Sequence, residues 1–76
     1  MSATVRKINE WFKNANRYDI NILLEKIFLS DRQTRIFEMF YIKRQNIGFI
    51  ADELYVSTPV ISRELNVIRD KILRFI

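Results

Sequence analysis

The sequence predicts an all-α fold, a small helical domain of about five helices with a C-terminal helix-turn-helix. Three observations carry this expectation. Apolar residues return at helical spacing along nearly the whole chain, and no run of any length alternates apolar and polar residues as a strand does. Residues suited to capping helices, Ser30, Asn46 and the neighbours Ser57 and Thr58, stand just before such apolar stretches. The single Gly and single Pro leave little else to interrupt them.

The first helix is expected to start at Ser2 or Thr4, with Val5, Ile8, Trp11, Phe12 and Ala15 on its apolar face. The stretch "NANRYD" then gathers Asn14, Asn16 and Asp19, whose side chains compete with helix by bonding nearby backbone, so a turn is expected there. Asp19 is the expected cap of a second helix carrying Ile20, Leu23, Leu24, Ile27 and Phe28 and ending near Leu29. Ser30 with Gln33 three residues on is a capping-box pattern, which starts a third helix through Ile36, Phe37, Met39, Phe40 and Tyr41. Lys43 to Asn46 form a polar connector. Asn46 caps a short fourth helix through Ile47, Ile50, Ala51 and Leu54. Ser57 or Thr58 caps the fifth, and Pro59 falls in its first turn, where a missing amide is tolerated. This helix carries Ile61, Leu65, Ile68 and Ile72 on one stripe and is expected to run to about Leu73.

With 76 residues, 49% of them hydrophobic and 13% aromatic, the chain is rich enough in apolar side chains to fold as one domain. A domain of this size buries only roughly 60% of the surface its unfolded chain exposes, so pairing with a second copy would help it. The absence of Cys and His excludes disulfides, thiolate or imidazole metal sites, Cys nucleophiles and imidazole bases. No remaining Ser, Lys, Tyr or carboxylate groups into a nucleophile and base pair, and Gly48 alone makes no phosphate loop. The expectation is a protein that is not an enzyme and needs no cofactor. The longest apolar stretch, "INILLEKIFL", is broken by Glu25 and Lys26, and the opening residues hold no signal-peptide run, so a cytoplasmic protein with no membrane partner is expected. A net charge of +4 and a pI near 9.8 permit an acidic partner. Divided after Phe28, the two parts carry +2 each.

The stretch "IADELYVSTPVISREL", Ile50 to Leu65, has the parts of a helix-turn-helix. Ala51 is the small residue that allows a close helix crossing, while Ile50, Leu54, Val56, Ile61 and Leu65 supply the contacts that hold two helices together. At 100° per residue, Pro59, Ser62, Arg63, Asn66 and Asp70 project roughly opposite the Ile61, Leu65, Ile68 and Ile72 stripe, leaving a polar outer face.

The longer segment "LSDRQTRIFEMFYIKRQNIGFIADELYVSTPVISRELNVIRDKIL", Leu29 to Leu73, resembles region four of bacterial sigma factors and the related LuxR-type DNA-binding domain, without a gap. Leu29 and Ser30 match the family's capped first helix, Tyr41 the aromatic that ends it, "IADELYVS" the end of the scaffold helix, and "STPVISREL" the recognition helix. Three positions depart from the pattern. Tyr55 replaces the Gly that usually ends the scaffold helix, so it needs a left-handed or altered turn. Phe49 stands where a charged residue is usual, and Pro59 stiffens the start of the recognition helix. On this resemblance residues 1–28 form an N-terminal helical extension packing on a sigma-region-four-like unit, 29–76.

The resemblance implies sequence-specific binding of double-stranded DNA by a small transcriptional regulator, with the helix from about 58 to 73 in the major groove. Thr58, Pro59, Ser62, Arg63 and Asn66 are the expected base contacts; Arg and Asn side chains make bidentate bonds to guanine and adenine edges. Lys43, Arg44, Ser57 and Arg69 are the expected phosphate contacts, with Arg32 and Arg35 broadening that surface. Asp52, Glu53, Glu64 and Asp70 oppose them by repelling phosphate. Trp11, Phe12, Tyr18, Phe28, Phe37, Phe40 and Tyr41 fall mostly at core spacing and read as packing residues. Phe49, Val67, Phe75 and Ile76 fit the stripes less well and read as an interface, with a homodimer as the expected assembly. The alternative is a protein-interaction module that uses the same fold to bind RNA polymerase or a sigma factor. A structural adaptor of a phage or mobile element is a third class that no residue singles out.

Overall fold

A computed structural model describes residues 3–76. It is all-α, with five helices and no strand among the described residues. Helices α1 (Ala3–Asn14) and α2 (Arg17–Ile27) come first. Helix α3 (Asp31–Phe37) runs directly into a π-helical segment, Glu38–Ile42, and is followed by α4 (Ile47–Leu54) and α5 (Thr58–Phe75). Two compact units divide the chain: one comprises residues up to Phe28 together with Arg69–Ile76, the other Leu29–Ile68. No helix among the described residues is long and apolar enough to cross a membrane.

In the first unit, α1 turns Ile8 fully inward and holds Val5, Trp11 and Phe12 half-buried. Of its two candidate starts, Ser2 lies outside the described residues. Asn16, not Asp19, caps α2. The Asn16 Oδ1 accepts the Asp19 amide at 2.8 Å, and the Asp19 carboxylate accepts the Asn16 amide at 3.1 Å. Asp19 is thus the third residue of a capping box, and the helix begins two residues before it. Leu23 and Ile27 are buried as expected. Phe28 is not, because the backbone turns left-handed there (φ 50°, ψ 70°), ends α2 and leaves the ring 80% exposed. Tyr18, also expected to pack, is 70% exposed. The Lys71 ammonium donates to the Phe28 carbonyl at 2.9 Å, giving the end of α2 a cation and a donor where its carbonyls lack amides.

In the second unit, Ser30 caps α3: its Oγ accepts the Gln33 amide at 3.2 Å while Gln33 Oε1 accepts the Ser30 amide at 3.1 Å. After Phe37 the helix widens, with Lys43 N–H reaching the Glu38 carbonyl five residues back at 2.9 Å. Ile36, Phe37 and Met39 are all buried around this transition. Tyr41 lies against Phe37 and Phe40 at centroid separations of 5.5 and 5.0 Å. The segment closes over a left-handed Arg44 (φ 59°), with Gln45 N–H bonded to the Met39 carbonyl at 2.9 Å.

Asn46 caps α4 through its Oδ1, which accepts the Phe49 amide at 2.8 Å. At the other end Tyr55 takes the left-handed conformation (φ 57°, ψ 42°). The Tyr55 amide reaches the Asp52 carbonyl at 3.3 Å and the Val56 amide reaches the Ala51 carbonyl at 3.0 Å. This is a Schellman closure made without glycine. Helix α5 starts at Thr58, the Ser57 carbonyl accepting the amides of Val60 and Ile61 at 3.1 and 3.4 Å. It continues two residues beyond Leu73, to Phe75, and its Ile61, Leu65, Ile68 and Ile72 are fully buried.

Candidate nucleic-acid interface

Within the second unit, α4 and α5 are joined by three residues, Tyr55, Val56 and Ser57. Ile50 and Ala51 on α4 and Ile61 and Leu65 on α5 are buried, so both helices turn their apolar sides inward next to this short turn. The helical phase of α5 then dictates its outer face. Pro59, Arg63 and Asn66 fall within a narrow arc opposite the buried stripe, Ser62 lies at its edge and Thr58 at the helix start, and all five are exposed. Ser57, just before the helix, is exposed as well. The first amides of α5 add a partial positive charge at this end.

Lys43 and Arg44 are exposed in the connector before α4. Lys43 also lines a groove of about 230 Å³ with Arg35, Glu38, Gln45, Phe49 and Glu53, in which the Gln45 Oε1 is buried and makes no hydrogen bond. Arg69 is half-buried and belongs to the first unit. Of the residues expected to form an interface, Phe49 (45% exposed) and Val67 belong to the second unit, while Phe75 and Ile76 belong to the first.

The charge map differs from the linear one. The second unit holds five basic and five acidic side chains and is neutral, whereas the first holds eight basic and four acidic, the entire +4. The shift arises because the end of α5, with Arg69, Lys71 and Arg74 against Asp70, groups with the N-terminal helices. The exposed face at the start of α5 therefore lies in a unit with no net charge, and any pull on an anion there would come from individual side chains rather than from a net field around it. One of its opposing carboxylates is already engaged, since Glu64 pairs with Arg32 (Oε2 to Nε, 3.7 Å). That pair draws Arg32 away from the broad basic surface expected of it and offsets the Glu64 charge.

Sequence reasoning missed the exposure of Tyr18 and of Phe28, the latter set by a positive φ. It also missed the grouping of Lys26, Lys71 and Arg74 beside Phe28 and Phe75. The "FLSDRQ" string held a usable signal for Phe28, because a capping box at Ser30 requires the preceding helix to have ended. The chain matches no family profile, no curated protein and no solved structure.

Proposed function

We propose that the chain binds duplex DNA sequence-specifically and regulates transcription, with the first half of α5 lying in the major groove. The observation that supports this reading most is the exposed set Thr58, Pro59, Ser62, Arg63 and Asn66 at the start of a helix, directly after a short turn from α4. Arg63 has the planar fork to bond guanine O6 and N7, and Asn66 the amide to bond adenine N6 and N7. Ser62 and Thr58 bond bases or sugar-phosphate oxygens, and Pro59 offers an apolar surface to a thymine methyl. Lys43, Arg44 and Ser57 are assigned to phosphates. A homodimer would set two such helices on half-sites one helical turn apart.

A second reading, a module that binds RNA polymerase or a sigma factor, is favoured by the neutral charge of the second unit and the exposed Phe49 and Val67. Fluorescence anisotropy with a labelled duplex at two salt concentrations separates the two. Under the DNA reading wild type binds with a negative salt slope, and Arg63→Ala with Asn66→Ala weakens a selected site by roughly 1–3 kcal/mol per lost bidentate contact. No duplex binding at low salt, with capture of purified polymerase lost on Phe49→Ser and Val67→Ser, would support the second reading instead.

A further inference from the structure

In the first unit a groove of about 410 Å³ is lined by Lys26, Ile27, Phe28, Lys71, Arg74 and Phe75. We infer that this groove binds single-stranded nucleic acid, with Phe28 stacking on a base and Lys26, Lys71 and Arg74 holding the flanking phosphates. Three cations line it and no carboxylate does. Cations at the ends of α2 and α5 also complement the helix dipoles, but each C-terminus carries only about half a negative charge. Two such ends leave about +2 in the groove, inside the unit that holds the chain's whole net charge of +4.

The rings select among polyanions. Phe28 is 80% exposed on a left-handed residue, where glycine would sit without strain, so the fold itself has little use for a phenyl group there. Phe75 is 39% exposed, and its ring is set edge-on to Trp11 at 6.5 Å, which fixes its plane. Lys71 spends one of its three N–H donors on the Phe28 carbonyl, holding its ammonium at the groove with two donors to spare. Exposed aromatic faces among cations match alternating bases and phosphates. A duplex hides its base faces within the stack, so it leaves the rings unused.

The test is anisotropy of a labelled fifteen-nucleotide oligo-dT with the full chain across a salt series. Wild type binds, with an affinity that falls as salt rises. Phe28→Leu keeps the apolar bulk but removes the π face, and weakens binding by roughly 5- to 150-fold. Phe28→Gly, which also relieves the left-handed backbone, loses binding to the same degree while melting no lower than wild type. Lys26→Gln with Arg74→Gln flattens the slope of log affinity against log salt by about 1.4, the value for two lost phosphate contacts to a single strand. Arg63→Ala with Asn66→Ala leaves oligo-dT binding unchanged, so a failure here and a failure of the duplex reading are told apart. The inference is overturned by absence of oligo-dT binding at low salt or by undiminished binding of Phe28→Leu. It is equally overturned if phosphatidylserine vesicles or a Glu-rich peptide with aromatic residues bind while oligo-dT does not.

Discussion

Replacing Tyr55 with glycine is expected to stabilise the protein. Tyr55 closes α4 at φ 57° and ψ 42°, a conformation that costs an L-residue about 1–2 kcal/mol through its Cβ. Glycine removes that cost but brings about 0.5–1 kcal/mol of extra chain entropy in the unfolded state. The ring is 94% exposed, so almost no buried area is lost, and the closing bonds from the Tyr55 and Val56 amides belong to the backbone and survive. The net gain is about 0.5–1 kcal/mol. At an unfolding entropy of about 2.1 cal/mol/K per residue, a chain of 76 residues gains roughly 3–6 °C in Tm. Thermal melts followed by circular dichroism read this directly. Tyr55→Ala is the control, because alanine keeps the Cβ and is expected to melt within about a degree of wild type. A Tm lowered by glycine, or alanine stabilising as much as glycine, would refute the reasoning from backbone strain.

Leu65→Ala opens a cavity at a fully buried position of α5 and is expected to cost about 2–5 kcal/mol, enough to leave so small a domain largely unfolded in urea titration. Asn46→Ala removes the acceptor for the Phe49 amide and is expected to cost about 1 kcal/mol, visible as a lower urea midpoint with unchanged m-value. Arg32→Ala breaks a partly exposed ion pair and is expected to cost under about 1 kcal/mol, less at high salt. Under the duplex reading it also weakens DNA binding, since Glu64 then stands unpaired on the same helix as Arg63.

The elements whose caps and stripes agree were legible in the sequence. Ser30 with Gln33, Asn46 before Ile47, and the Ile61, Leu65, Ile68 and Ile72 stripe each combine a local signal with a periodic one, and the structure has all of them. The start of α2 was harder to place because Asn16 and Asp19 can both accept a backbone amide. Only the reciprocal pair of bonds decides which residue caps. The π-helical segment was hidden because the run "IFEMFYI" is apolar on nearly every side and fits either helical period. Of the candidate interface, the exposure of Pro59, Ser62, Arg63 and Asn66 followed from helical phase, whereas Thr58 falls near the phase of the buried stripe and is exposed as the first residue of α5. The charge division did not, because it depends on which residues α5 lends to each unit, and chain order is silent on that.

Helix α5 brings Ile61, Leu65 and Ile68, three buried side chains of the second unit, into line, and this makes the length of the helix between them a timing mechanism. The alignment of these three is set by the pitch of a single rod. One residue inserted after Asn66 would advance Ile68 by 100° against Ile61 and Leu65, as a slipped tooth throws a camshaft out of time. Four inserted residues would leave an error of about 40° and seven about 20°, so lengthening is tolerable only in near-whole turns. Point substitutions along α5 test single side chains, but such insertions test the phase that its buried positions share.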